Sequence, residues 1–134
     1  MNKKLHKIII ATGGTGGHVL PAYNLAKHFK DKKINVKIIC DKRGSKYFRN
    51  DENLKIIYIN SSPINKKNLF RLVFSFFIII ISIFKSIIVL FKNKPNLVFG
   101  TGGYSTFPIC IAAAILKVPF VIYENNLFIG KANK

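Results

Sequence analysis

Hydrophobic residues fall along this chain in short blocks separated by polar or glycine-rich stretches. Lys7–Thr12 is a β-branched run ending at glycine, the pattern of a buried strand. From Val19 to Lys30 the apolar positions Val19, Ala22, Ala26 and Phe29 recur at helical spacing. Pro21 lies in the first turn of that helix, where proline is tolerated. Asn35–Asp41 predicts a second strand and Arg43–Asn50 a short helix. Leu54–Ile59 predicts a third strand, closed by Ser61-Ser62-Pro63. A long apolar segment, Leu69–Phe91, precedes the breaker Pro95 and a fourth strand, Leu97–Gly100. Phe107–Leu116, with its Ala112-Ala113-Ala114, predicts a helix, and Phe120–Tyr123, entered through Pro119, a fifth strand. The order β-α-β-α-β-α-β-α-β specifies an α/β domain: a Rossmann-like parallel sheet with helices on both faces.

The apolar segment departs from an ordinary core helix. Leu72–Phe84 carries no charge and reads LVFSFFIIIISIF, with Phe76 to Ile81 apolar at every position. A core helix needs one apolar stripe, not a full circumference. The uncharged run spans roughly 20 Å as a helix, short of a ~30 Å hydrocarbon core. Arg71 and Lys85 bracket it, and Lys92 and Lys94 extend the basic side. This pattern fits a helix lying in an anionic membrane face, with Leu72, Phe76, Phe77, Ile80, Phe84 and Lys85 as the contact residues. A buried core helix and a membrane span are the competing readings.

Two glycine-rich stretches follow strands directly. Ala11-Thr12-Gly13-Gly14-Thr15-Gly16-Gly17-His18 separates the first strand from the first helix, and Gly100-Thr101-Gly102-Gly103-Tyr104-Ser105-Thr106 follows the fourth strand. Glycine allows positive φ and close approach of backbone to ligand, and the next helix aims N–H groups at what lies there. In a parallel sheet both loops open on the same edge, which suggests a diphosphate-sized anion site. Walker A is excluded, because no Lys-Ser/Thr follows the glycines. The dinucleotide fingerprint is broken at Val19, although Asp41 stands where a ribose-binding acid could. His18, where loop meets helix, is a candidate general base. Glu124, at the end of the fifth strand beside Asn125 and Asn126, is placed either to pair with a cation or to hydrogen-bond sugar hydroxyls.

Composition adds a partner class. The 134 residues hold 22 Lys+Arg against 5 Asp+Glu, net +17, and 49% are hydrophobic. That charge favours an anionic partner, whether phosphate ligand, lipid surface or nucleic acid. Cys40 and Cys110 sit in apolar runs without CxxC spacing and read as buried reduced thiols of a cytosolic protein. Ile8–Ala11 is too short for the apolar region of a signal peptide.

Together these residues resemble the MurG family of peptidoglycan glycosyltransferases. The match lies in Thr12–His18 with Pro21-Ala22, in Gly100–Pro108, and in Tyr123–Lys134. At the last place the family shows His-Glu-Gln-Asn, whereas this chain has Tyr123-Glu124-Asn125-Asn126. The resemblance implies the N-terminal half of a two-domain GT-B transferase, peripheral on the cytoplasmic face of the bacterial inner membrane. It implies transfer of N-acetylglucosamine from UDP-N-acetylglucosamine to the lipid-linked muramoyl-pentapeptide called lipid I, with inversion and without a metal or other cofactor. His18 then matches the catalytic base and Glu124 a second catalytic candidate. Thr15, Gly16, Gly17 and Asn126, with Gly102, Gly103 and Tyr104, match substrate-binding positions. Residues 1–134 form the acceptor- and membrane-binding domain, and a donor domain or partner subunit is expected to complete the site. Two alternatives remain. One is the membrane-recruiting subunit of a split glycosyltransferase; the other is a basic nucleic-acid-binding module built on Lys42, Arg43, Lys46, Tyr47 and Arg49.

Overall fold

The computed structural model of the chain describes residues 6–48, 54–60 and 69–124, with backbone alone at 69–72. The elements run β1 Lys7–Thr12, α1 Gly16–Asp31, β2 Asn35–Cys40, a 3-10 turn at Ser45–Phe48, β3 Lys55–Tyr58, α2 Leu69–Asn93, β4 Leu97–Gly100, α3 Phe107–Ile115 and β5 Phe120–Ile122. All strands are parallel, in the order β3-β2-β1-β4-β5. β1 is the central strand. Its Ile10 lies opposite Ile38 of β2 on one side and Phe99 of β4 on the other.

Alternation along β1 sorts the core into two layers. Ile8 and Ile10 pack with Val36, Ile38 and the Val19-Ala22-Ala26 face of α1. Ile9 and Ala11 pack on the opposite side with Ile39, Leu90 of α2, and Ile109, Ala112 and Ala113 of α3. Ile8, Ile9 and Ile10 are wholly buried, which is why β1 reads as a continuous apolar run and not as an alternating one.

β1 and β4 keep their sequence-based bounds, the other elements shift, and three of the shifts bear on the loops. α1 begins at Gly16, three residues before its apolar periodicity, because the glycines of its first turn have no side chains to register a period. The short helix expected at Arg43–Asn50 is a 3-10 turn at Ser45–Phe48, and residues 49–53 lie outside the described ones. Asp41 lies just beyond β2, in the loop. At the opposite, amino edge of the sheet, Lys33, Lys94 and Lys117 adopt left-handed φ of 59°, 46° and 54° in the turns after the three helices, positions glycine usually takes.

α2 inverts the usual amphipathic arrangement. Ser75, Ser82, Ser86 and Leu90 are its buried face, with Ser82 Oγ donating to the Asn60 carbonyl and Ser86 Oγ to the Ser82 carbonyl. Phe74, Phe77, Phe84 and Phe91 face outward, each about 60% exposed or more, in line with Ile81 and Ile88. The C-terminal half is pinned to the domain, since Ile87, Val89 and Leu90 join the second core layer.

Candidate functional site

β1 and β4 are adjacent and parallel, so the loops that follow them leave the same carboxyl edge. The chain turns one way from β1 to β2 and the other way from β4 to β5, so this is the point where strand order reverses and open α/β sheets form their ligand crevice.

The two loops are joined directly. His18 Nδ1 lies 2.7 Å from the Thr101 carbonyl oxygen. A carbonyl can only accept, so Nδ1 carries a proton, and in the neutral tautomer this selects, the lone pair is on Nε2. That nitrogen points toward Gly103, where an added Cβ would lie 3.7 Å from it. The threonines tie the strand ends beneath: Thr101 Oγ1 donates to Thr12 Oγ1 at 2.8 Å, and Thr12 Oγ1 donates to the His18 carbonyl at 3.0 Å. An imidazole oriented in this way between two glycine-rich loops has the geometry suited to accepting a proton from a bound hydroxyl.

Backbone conformation explains the glycines. Gly14, Gly102 and Gly103 hold φ near +80°, a region side chains rarely adopt. Gly13 is required by space as well, because a Cβ there would come within 2.5 Å of Ser105 Oγ and 2.7 Å of Asp41 Oδ1. Gly16 admits the Tyr47 ring, which would lie 3.1 Å from a Cβ. Gly17 is different: its nearest neighbour would be Thr15 Oγ1 at 3.8 Å, so packing leaves that side open. Thr15 occupies the N-cap of α1 without a side-chain capping bond, and no acidic residue stands in the first turn, so the positive helix end is directed at the crevice.

Asp41 is the centre that sequence reasoning missed. Its side chain is only 3% exposed. Oδ1 accepts from Gly14 N and Gly44 N, each at 2.9 Å; Oδ2 accepts from Ser105 Oγ at 3.1 Å and Arg43 Nε at 2.9 Å. Both glycine loops and the β2 loop therefore close on one carboxylate. A buried acid so engaged is not available to a ribose, which removes the role considered for it from the dinucleotide pattern. Its partners in the two glycine loops lie 27 and 64 residues away, so only the isolated acid after β2 could have flagged it. Arg43 and Tyr47, offered above to a nucleic-acid patch, instead pack against Gly14 and Gly16.

The remaining candidates divide. Gly102 is buried, while Gly103 and Tyr104 are half-buried at the second loop. Tyr123 N donates to the Gly100 carbonyl at 2.7 Å, which brings half-buried Glu124 to the same rim. Asn126 lies outside the described residues, as does the side chain of Leu72. Phe76, Phe77, Phe84 and Lys85 are exposed and Ile80 half-exposed on α2, remote from the loops in sequence and on a different element. Burial, with Asp41 beside it, pushes the Cys40 thiol up to about 12, and burial pushes Cys110 up to about 11, so both are inert thiols as the sequence suggested.

Known proteins resemble the chain in sequence and in fold. The Glycosyltransferase family 28 N-terminal domain matches residues 8–134. The UDP-N-acetylglucosamine--N-acetylmuramyl-(pentapeptide) pyrophosphoryl-undecaprenol N-acetylglucosamine transferase of Pelagibacter ubique is 44% identical over 135 residues, covering 100% of this chain and 36% of that protein. The protein of the same name from Prochlorococcus marinus subsp. pastoris is 38% identical over 135 residues, with the same coverage. Among solved structures, Acinetobacter baumannii MurG superposes with a TM-score of 0.80 at 28% identity, covering 96% of this chain and 38% of that one. The chain thus spans about a third of the length of the relatives it matches. With the parallel five-stranded sheet, these matches make it the N-terminal half of a GT-B fold. The chain belongs to glycosyltransferase family 28, through that family's N-terminal domain.

Proposed function

We propose that this chain is the acceptor- and membrane-binding half of an inverting hexosyltransferase that moves N-acetylglucosamine from UDP-N-acetylglucosamine to lipid I, forming lipid II for peptidoglycan. The observation that carries this reading is the bond from His18 Nδ1 to the Thr101 carbonyl, which sets a base between two glycine loops on one rim. The His18 Nε2 lone pair takes the proton of the acceptor hydroxyl as its oxygen attacks the anomeric carbon. The C1–O bond to UDP breaks on the opposite face, and the nucleotide leaves with the electron pair. Loop amides and the α1 start hold diphosphate charge, a role suited to fixed N–H donors away from bulk water. Glu124 and Asn126 serve the sugar hydroxyls and amides, and a second domain or subunit supplies the uridine pocket.

The exposed phenylalanine face of α2 supports contact with the anionic cytoplasmic face of the inner membrane. At 25 residues the helix is about 37 Å long, and Val73–Asn93 has a mean hydropathy of 2.7, so length and composition alone would allow it to span. Its inward serines and the attachment of its C-terminal half to the sheet favour a helix lying against the surface.

The test is a domain exchange. Residues 1–134 replace the matching N-terminal segment of the Pelagibacter ubique relative, and transfer of labelled N-acetylglucosamine to a lipid I analogue is followed. Transfer is expected, and His18→Ala in the chimera should lower kcat by about 10²-fold or more with little change in donor KM. A folded chimera that binds both substrates and transfers nothing contradicts the reading. Near-normal turnover in the His18 variant removes that residue from the mechanism.

A further inference from the structure

Arg43 belongs to the glycine rim although it lies in neither glycine loop. Its Nε and Nη2 both reach Asp41 Oδ2, at 2.9 and 2.8 Å. The carboxylate is 3% exposed and the arginine side chain 52% exposed, so the ion pair has a buried end and an open end. The guanidinium lies against the first loop, with Nη2 3.8 Å from the position a Gly14 Cβ would take. The same carboxylate accepts from Gly14 and Ser105, one from each glycine loop.

This geometry contains an electrostatic conflict that Arg43, paired with the carboxylate, is placed to resolve. Asp41 puts a negative charge directly under the rim where a diphosphate is to sit. An uncompensated carboxylate at that depth would repel a phosphate bound on the same loops and weaken its binding. A guanidinium paired side-on with that carboxylate offsets the charge and, half exposed beside Gly14, lies within reach of an anion on the first loop. Arginine suits this better than lysine, because its planar fork can hold a carboxylate and still face an anion.

We propose that Arg43, oriented by Asp41 as a positioning residue, is a side-chain contact for the diphosphate bound at the glycine rim. The inference rests on the reading of that rim as a diphosphate site. It names a side chain where the sequence offered backbone amides alone. The shared chemistry is a diphosphate esterified at both ends, and its source is either the lipid-linked acceptor or the nucleotide donor.

Calorimetric titration of the 134-residue chain with inorganic pyrophosphate, farnesyl diphosphate and UDP tests it, with thermal melting of every variant as the fold control. Wild type is expected to bind pyrophosphate, and Arg43→Gln should weaken it by about tenfold, equivalent to about 1.4 kcal/mol. Arg43→Lys should fall between them. The double variant Arg43→Gln with Asp41→Asn should regain part of the loss, because the repelling carboxylate is gone. A weakening confined to farnesyl diphosphate assigns the lipid-linked source, and one confined to UDP the nucleotide. Arg43→Gln binding every probe as wild type does overturns the role of Arg43 and leaves the rim standing. A double variant that regains nothing reduces Arg43 to a structural clamp and also overturns the proposal. Wild type that binds no diphosphate overturns the rim and the proposal together. Should Arg43→Gln not fold, the Arg43 Nε–H resonance of wild type decides: it should move on addition of pyrophosphate, and a stationary signal overturns the contact.

Discussion

Two glycines four residues apart in the first loop should respond in opposite ways to the same added methyl group. At Gly13 a Cβ would come within 2.5 Å of Ser105 Oγ and 2.7 Å of both Ser105 Cβ and Asp41 Oδ1. Those atoms cannot retreat cheaply, because the Asp41 carboxylate and the Ser105 hydroxyl are buried and bonded to each other. Overpacking at such a site costs about 1–3 kcal/mol. The disfavoured φ of +156° adds about 1–3 kcal/mol more. Gly13→Ala should therefore lose about 2–6 kcal/mol, a large part of the 5–15 kcal/mol typical of a domain. At Gly17 a Cβ would meet only Thr15 Oγ1, at an ordinary 3.8 Å, on a helical backbone. Gly17→Ala should be neutral or stabilising by about 0.4–1 kcal/mol through the unfolded chain. Its cost should fall on the ligand, because a methyl group there hinders close approach of the backbone to a bound anion. Urea unfolding and pyrophosphate titration of both variants make the comparison. Gly17→Ala that binds pyrophosphate as well as wild type, or Gly13→Ala as stable as wild type, would refute this division of roles.

Phe77→Ser with Phe84→Ser should reduce sedimentation with anionic vesicles by about tenfold or more, while stability stays within about 0.5 kcal/mol, since both rings are exposed in the free chain; unchanged vesicle binding would remove α2 from the membrane contact. The thiols predict a pH effect of definite sign. Their folded values, about 12 and about 11, lie above the ordinary 9.0, so the unfolded chain loses these protons first and stability falls as pH rises from 9 toward them. The limiting slope is about 1.4 kcal/mol per pH unit for each thiol. Replacing Cys40 and Cys110 by alanine should flatten the decline of unfolding free energy between pH 9 and 11 by that contribution, and an unaltered slope would contradict the burial described.

Much of this arrangement is written locally. β1 and β4 fall on the residues their β-branched and apolar runs mark, because each strand is short, central and bounded by glycine. The common edge of the two loops followed from parallel alternation alone. Other features depend on contacts no local pattern carries. The helical start at Gly16 is silent because glycine has no side chain to repeat. The serines of α2 would be assigned to the solvent side by any amphipathic rule, yet they are buried and the phenylalanines face out. Only an apolar run too continuous for a core helix hinted at this reversal. Asp41 looked like a remnant of a nucleotide motif, but its meaning comes from Gly14, Gly44 and Ser105, which the fold gathers from three loops. His18 was singled out by position, whereas its tautomer follows from a carbonyl 83 residues away.

The central claim is that the loops after β1 and β4 form one anion site. Amide chemical-shift mapping of the labelled chain during titration with farnesyl diphosphate addresses it most directly. The expected result is concerted movement of the Gly14–Gly17 and Gly102–Ser105 amides with a single dissociation constant, together with the His18 ring. Shifts confined to one loop, shifts in the two loops with different dissociation constants, or shifts clustered at the amino edge around Lys33, Lys94 and Lys117 would contradict it.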